Sequence, residues 1–374
     1  MPKRVTKTRD SGIELLRIIA IFMVIGVHLF AYSHYKNQSI EIGGIVESMS
    51  FGIRVLFMPC VNIFIIITGY FMVKMKFNLE RAYKRVFKTY LTVLFYSIVL
   101  NMIFIILGQK YYIINGKTPT LLNIVLKMFF PILSQQWYFM TDYILLCLFA
   151  PFLNIILQNI KQKDYKILLC ISTFVMSIWF LLSNLRGFDH IVSNNGFGDI
   201  QAGKNLFSFM YIYMIGGYIR LHCRKNESPK LLYLVGAFVC WIINVQLGNG
   251  MLEFLELQDM VLKFSNPLLI LSAVFLLLYF KDLHFQSKIV NTIASTSLGV
   301  YVIHEFVCVR NVIWSIFDFR KVDCSNMFFN IVYIFSIMIM VFGVCAALDL
   351  LRQKLFNLFK KKGKNSESMS ENNG

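Results

Sequence analysis

The chain has 374 residues, of which 57% are hydrophobic and 15% charged, whereas soluble domains are usually about 45–50% apolar. This composition excludes an ordinary soluble enzyme and predicts an all-α, polytopic membrane protein. The formal net charge of +17 would suit a nucleic-acid-binding protein, but the positions of the charges indicate membrane topology instead.

Ten apolar stretches approach the roughly 20 residues that a bilayer-spanning helix needs. They are centred on 13–33, 50–73, 87–107, 137–157, 166–184, 205–222, 230–248, 264–280, 289–315 and 327–351. If the amino terminus is cytoplasmic, the inner connections carry 25 lysines and arginines and the outer ones about nine. This positive-inside asymmetry predicts two cytoplasmic termini in a cell (inner or plasma) membrane, contact with membrane lipids and no nucleic-acid partner.

Three regions follow from this pattern. Residues 1–12 form a basic cytoplasmic tail, residues 13–355 form one transmembrane domain of ten helices, and residues 356–374 form a polar cytoplasmic tail that we expect to be disordered. Eight cysteines are scattered without a C-x-x-C pair, which indicates neither a metal site nor a disulfide framework.

The first span carries Glu14, Arg17 and His28 within an apolar run. A helix advances about 100° and 1.5 Å per residue, so Arg17 and His28 lie within about 20° of each other and about 16 Å apart along the axis. Glu14 is spaced for an ion pair with Arg17. Because ionisable groups at membrane depth cost roughly 2.5–3.5 kcal/mol each, this stripe is predicted to face a protein interior or a water-filled path. Alternatively, Glu14 and Arg17 snorkel at the interface and His28 is a packing residue.

Polar residues in the second and fourth spans form a further set of candidates. Arg54 lies near the outer end of the second span, Asn62 lies deeper, and Asp142 near the outer end of the fourth span is placed to pair with Arg54. The segment 118–133 between these spans predicts an amphipathic helix on the outer surface.

The segment 74–88, "KMKFNLERAYKRVFK", is predicted to be cytoplasmic and holds six basic residues, among them Arg81, Arg85 and Lys88. Such a cluster can bind the phosphates of a nucleotide-containing cofactor. Charge alone favours the alternative, a role in topology and lipid contact.

Two later segments also stand out. The outer loop 185–204 is rich in Gly, Asn and Asp, as are both binding loops and ordinary surface loops. In the ninth span, His304 and Glu305 fall near mid-membrane with Tyr301 one turn away. These three either form part of a site or only tie helices together by hydrogen bonds.

Several segments, in order along the chain, resemble the membrane-bound acyltransferase-3 family of bacterial O-acyltransferases. They are the arginine and histidine of "IELLRIIAIFMVIGVH", "NIFIIITGYFM" at 62–72, the basic segment that follows, "QQWYFMTDYILLCLFAPFLN" at 135–154 and "SLGVYVIHE" at 297–305. Two positions depart from the family pattern. Arg85 and Lys88 stand where the family commonly has Arg-x-x-Arg, and Thr68 replaces the usual serine before Gly69.

The resemblance implies transfer of an acyl group, most often acetyl from cytoplasmic acetyl-CoA, to a hydroxyl of an extracytoplasmic polysaccharide, glycan or lipid-linked saccharide. It implies that His28 is the general base and that Arg17, paired with Glu14, serves the donor side together with the basic cluster. No metal is required. The donor-binding candidates are Arg81, Arg85 and Lys88, and the substrate or oxyanion candidates are Arg54, Asn62, Asp142, Tyr301, His304 and Glu305.

Two other classes of function remain open on the sequence. A secondary transporter could use Arg17, His28, Asp142, His304 and Glu305 as a proton or substrate relay. A sensor or assembly protein without catalysis would need none of this chemistry.

Overall fold

The computed structural model describes residues 10–108, 112, 118–188, 190–193, 203–223, 229–250 and 260–371, with side chains up to residue 358. Within these ranges the chain is all-α, as predicted. Its helices are α1 Ser11–Tyr32, α2 Tyr35–Ile42, α3 Gly44–Phe57, α4 Cys60–Met72, α5 Leu79–Leu107, α6 Leu121–Phe129, α7 Tyr138–Asn159, α8 Gln162–Thr173, α9 Trp179–Ser183, α10 Leu206–His222, α11 Lys230–Gly248, α12 Pro267–Lys281, α13 Lys288–Ala294, α14 Ser297–Glu305, α15 Val307–Ile316 and α16 Met327–Glu371. Half of the predicted outer loop 185–204, namely residues 189 and 194–202, lies outside the described residues.

Helix α1 begins where the side chain of Asp10 accepts a hydrogen bond from the Gly12 backbone N–H, at 3.1 Å. Helix α5 begins in the same way, with the Asn78 side chain accepting from the Arg81 N–H at 2.8 Å. Both caps satisfy backbone donors that the first turn of a helix leaves without a partner. They fix the start of the two helices that carry Arg17 and the basic cluster.

Eight helical segments of the described chain are long and apolar enough to cross a membrane, or nine if one bent pair counts as a single span. The sequence predicts ten. The difference is the predicted span 205–222, which is α10. With 17 residues, α10 is about 26 Å long and falls at the short limit for a bilayer core of about 30 Å.

The beginning of α1 and the later part of α16 lie on the same face of the bundle. Ser11 Oγ donates to Asn291 Oδ1 of α13 at 3.1 Å, and Gln353 Nε2 donates to the Ser295 carbonyl, directly after α13, at 3.2 Å. We call this the basic face, because α5 also begins there with Arg81, and we call the face where α1 ends at Tyr32 the opposite face.

Two predicted segments can be compared with the helices. The predicted surface helix at 118–133 is confirmed as α6, Leu121–Phe129. Helix α16 continues to Glu371, and the disorder expected for residues 356–374 stays a prediction. That stretch contains no proline, and its lysines and glutamates are good helix formers.

The predicted ninth span is broken rather than straight. The segment of α13 and α14 meets the segment that begins with α15 at an angle of 79°. The bend lies at Phe306, whose backbone is extended with φ −57° and ψ 126°. The break leaves the Val302 carbonyl without its usual helical partner, and the Trp137 indole N–H donates to it at 3.1 Å. His304 and Glu305 therefore lie at the end of a helix and not within a continuous one.

Two glycines allow α4 and α10 to cross in close contact. A Cβ on Gly216 would lie 2.1 Å from the Ile66 carbonyl oxygen, and a Cβ on Gly69 would lie 2.1 Å from that of Tyr213. No rotamer change relieves a clash with backbone. The glycine of the "TGY" segment is thus explained by helix packing.

Gly216→Ala is expected to destabilise the protein by about 1–3 kcal/mol, because the added methyl group overpacks this crossing. Thermal unfolding of the purified protein in detergent measures the effect. Gly343→Ala in α16 is the matched control, because a Cβ there would have no described atom within 4 Å. An unchanged melting temperature for Gly216→Ala would contradict the close approach of the two backbones.

Candidate active site

A cavity of about 780 Å³ runs through the bundle along α1. Glu14 and Arg17 line it towards the basic face, and Tyr32 and Arg310 line it towards the opposite face, with His28 between them. The predicted stripe of polar side chains on α1 therefore faces an interior cavity.

His28 lies at the centre of a polar cluster. Its Nδ1 is 3.0 Å from Nε2 of His304 and 3.0 Å from Oε2 of Glu305. The N–H direction points to His304, so Oε2 of Glu305 is within reach of Nδ1 but accepts no well-aligned hydrogen bond. The cluster joins α1 to the end of α14, which the bend at Phe306 brings against the cavity.

The partners of the two imidazoles determine which nitrogens carry protons. His304 Nδ1 lies 2.5 Å from the Val300 carbonyl oxygen, which can only accept, so His304 donates from Nδ1. Its Nε2 is then an acceptor, and His28 must donate from Nδ1. The remaining Nε2 of His28 carries a lone pair and, among the described residues, has no hydrogen-bond partner. This is the protonation state of a general base.

A second layer of contacts holds Glu305. The Arg310 guanidinium donates to Oε1 of Glu305 at 2.9 Å and to the Tyr32 hydroxyl at 3.2 Å. Its Cζ also lies 4.3 Å from the centroid of the Tyr32 ring. Buried carboxylates are stable when paired in this way, so Arg310 fixes Glu305 beside His28.

At the end of the cavity near the basic face, the predicted ion pair is confirmed. Arg17 Nη1 donates to Oε1 of Glu14 at 2.7 Å, and the Arg17 guanidinium lies 5.3 Å from the Phe71 ring centroid. Glu14 is fourteen residues from His28, about 21 Å along the helix axis. It is therefore placed to orient Arg17 and not to touch the base.

A second cavity, of about 250 Å³, opens at the basic face and is lined by Arg81 and Arg85. We call it the basic pocket. Thr89 and Tyr143 line both cavities, so the basic pocket adjoins the cavity that contains His28.

Lys88 lies apart from the other two predicted donor-binding residues. It is exposed and is not among the residues that line the basic pocket. Thr89 faces the pocket, and Lys88, one residue earlier, is turned by about 100° around the helix axis. Arg81 and Arg85, one turn apart, provide the basic side chains instead.

Three of the predicted substrate or oxyanion candidates lie elsewhere. Arg54 lines a separate groove of about 380 Å³ with Lys36 and Glu47, and it forms no ion pair with Asp142. Asn62 is fully buried and donates to the Phe264 carbonyl at 3.1 Å. Neither Asn62 nor Asp142 lines the cavity that contains His28. These side chains point away because the rotation of α3, α4 and α7 is fixed by packing.

Tyr301 is retained as a candidate. It lines the cavity, and its buried hydroxyl has no hydrogen-bond partner among the described residues. Its ring packs edge-on against Phe139 and lies 6.2 Å from the His304 ring. A hydroxyl without a described partner that lines the same cavity as His28 is suited to donate to a developing oxyanion.

Two charged residues that line the cavity are not among the sequence candidates, Arg310 and Lys204. Arg310 follows Glu305 by five residues within an apolar segment. A charge in such a segment indicates a functional residue, as it does for Arg17. Lys204 lies in a polar connection, where a lysine is common and carries no such signal.

His28, His304 and Glu305 could also supply a metal ion with three ligands, because their ligand atoms lie within 4.8 Å of one another. Two of these ligand atoms, on His28 and His304, already form a hydrogen bond with each other at 3.0 Å. A dication would moreover sit beside the Arg310 guanidinium, which is 2.9 Å from Glu305. The metal-free mechanism therefore stays our prediction.

Comparison with known proteins adds one finding. A family model described as an acyltransferase domain matches residues 10–350, almost the whole chain. No curated protein and no solved structure matches the chain. The matched range contains the cavity, the histidine cluster and the basic pocket.

Proposed function

Because the chain belongs to the acyltransferase-3 family and is therefore an acyltransferase, we propose that it moves an acetyl group from acetyl-CoA to a hydroxyl of an extracytoplasmic glycan or lipid-linked saccharide. In this proposal the basic face is cytoplasmic and the opposite face receives the acceptor. The cavity along α1 then links the two compartments across a multi-pass protein in the cell membrane.

The observation that carries the proposal is the free Nε2 of His28 in the cavity. As the acceptor oxygen attacks the thioester carbonyl, Nε2 takes the hydroxyl proton. The tetrahedral intermediate then collapses with cleavage of the C–S bond, and the imidazolium returns the proton to the CoA thiolate. The Glu305 carboxylate, 3.0 Å from Nδ1, stabilises the imidazolium that forms between the two steps.

The donor fits the two adjoining cavities. Arginine guanidiniums bind phosphates through paired hydrogen bonds, so Arg81 and Arg85 would hold the nucleotide part in the basic pocket. The acyl-bearing arm would pass Thr89 and Tyr143 to reach the cavity beside Arg17. The Tyr301 hydroxyl would donate to the oxyanion of the tetrahedral intermediate.

Arg85→Ala is expected to raise the KM for acetyl-CoA about tenfold or more, because a charge-assisted contact to phosphate is lost. Lys88→Ala is the matched control, since Lys88 belongs to the same helix and the same charge cluster but is not among the residues that line the pocket. Steady-state kinetics of both variants in detergent measures the difference. If the two substitutions had equal effects on the KM, the basic cluster would have a role in topology alone.

A transporter is the alternative class, and the fate of the thioester distinguishes the two. Inside-out vesicles that contain the protein and enclose isolated envelope glycan in the lumen, which is the acceptor side in this orientation, are incubated with acetyl-CoA labelled in the acetyl group. An acyltransferase consumes the thioester and labels the glycan, whereas a transporter leaves the thioester intact. If the protein consumed no thioester, or if the consumption did not depend on His28, the proposed function would be rejected.

A further inference from the structure

Among the described residues, the proposed mechanism leaves one charged side chain of the cavity without a role. Lys204 directly precedes α10 and lines the cavity that contains His28. Its Nζ lies 5.0 Å from the centroid of the Tyr138 ring and 5.7 Å from that of Phe264. Tyr138 begins α7 and Phe264 precedes α12, so three separate segments of the chain fix this ammonium group in the wall of the cavity.

Among the described residues that line the cavity, the charge of Lys204 is not balanced by a carboxylate. The described carboxylates that line it are Glu14 and Glu305, and each is already paired with an arginine, at 2.7 Å and 2.9 Å. Lys204 itself has no described carboxylate within salt-bridge distance. The two aromatic rings attract the ammonium through their quadrupoles but do not cancel its charge.

A partly buried charge without a counter-ion is costly, and such groups in folded proteins are normally paired. Lys204 does not line the basic pocket, and neither do Tyr138 and Phe264, whose rings surround Nζ. It is therefore not placed to serve the donor phosphates. The counter-ion is therefore expected to arrive with the other substrate.

We propose that Lys204 binds an anionic group of the acceptor, a carboxylate or a phosphate, and that the acceptor saccharide is therefore negatively charged close to the hydroxyl that is acylated. This inference rests on the proposed function and adds the chemical class of the acceptor to it. A neutral saccharide would leave the ammonium unpaired, so Lys204 selects against neutral acceptors as well as for anionic ones.

The first test measures the charge of the product. Native membranes from the producing cell, and membranes that carry His28→Ala, are incubated with acetyl-labelled acetyl-CoA, and the labelled saccharide is passed over an anion exchanger at pH 7. We expect the product that depends on His28 to be retained. Carbodiimide-coupled amidation then distinguishes the two sources of charge, because it abolishes retention by carboxylates and leaves retention by phosphates.

A neutral labelled product that depends on His28 would overturn the inference while the proposed function stands. If no labelled product depended on His28, the proposed function itself would be rejected. The two failures are thus separated by a single experiment.

The second test compares Lys204→Met with Lys204→Arg and with Lys263→Met. Lys204→Met should raise the KM for the isolated anionic acceptor by about tenfold or more, with little change in kcat or in the KM for acetyl-CoA, because one charge pair is lost in a partly buried site. Lys204→Arg should retain most of the affinity. Lys263→Met is the control, because Lys263 lies near Lys204 in the folded protein but is not among the residues that line the cavity.

Lys204 could instead stabilise the oxyanion. In that case Lys204→Met would lower kcat and leave the acceptor KM unchanged, which would contradict the inference. Methionine has nearly the length of lysine and no charge, so it fills the same space between the two rings.

Discussion

Replacing His28 with alanine is expected to lower the kcat of acyl transfer by about 10²–10⁴, because general-base assistance typically contributes that factor. His28 supplies the imidazole nitrogen that faces the cavity without a partner among the described residues. The KM for acetyl-CoA should change little, since the basic pocket lies at the other end of the cavity. Single-turnover transfer of labelled acetyl by purified protein measures the loss.

The fold should survive this substitution. His28→Ala leaves Nε2 of His304 without a donor, which costs about 1–3 kcal/mol, and His28→Gln can restore a donor without restoring a base. His284→Ala is the matched histidine control, because that side chain is 55% exposed and lies outside the cavity. A parental rate in well-folded His28→Ala protein would make His28 a packing residue and the mechanism wrong.

Glu305→Gln is expected to lower kcat by about 10²–10³, because the amide removes the charge that stabilises the imidazolium of His28. Glutamine keeps the shape of the side chain and one acceptor oxygen towards Arg310. Glu305→Asp keeps the charge and should retain part of the activity. The kinetic constants for the donor should not move, since Glu305 lies far from Arg81 and Arg85.

A purely structural role for Glu305 predicts a different result. If its pairing with Arg310 only tied α14 to α15, Glu305→Gln would lower the melting temperature and leave the kcat of the folded fraction unchanged. Measuring kcat per folded molecule alongside thermal unfolding distinguishes the two roles. Arg310→Lys, which keeps the cation but loses the planar guanidinium, should give an intermediate loss of kcat.

The sequence by itself determined the features that depend on local geometry. Composition and apolar run lengths determined the all-α membrane class, because each backbone polar group in a bilayer must be satisfied within its own helix. The 3.6-residue period placed Glu14, Arg17 and His28 on one stripe and spaced Glu14 for its ion pair with Arg17. Both results follow from residues a few turns apart in one helix.

The break at Phe306 could not be predicted in the same way. It contains neither proline nor glycine, and the local sequence is typical of a continuous helix. The extended backbone is stabilised from outside, by the Trp137 indole bonded to the Val302 carbonyl and by packing of the buried Phe306 ring against Trp137 and Phe104. A residue 165 positions away thus determines where this helix ends.

Only the tertiary structure decided which polar residues meet. His28 and His304 are 276 residues apart, and their contact fixes the proton on Nδ1 of His28 and leaves its Nε2 without a partner among the described residues. The same packing turned Arg54, Asn62 and Asp142 away from the cavity and turned Lys204 and Arg310 towards it. The physical reason is that periodicity gives the angle of a side chain around its own helix, whereas the direction that this angle faces depends on how every other helix packs against it.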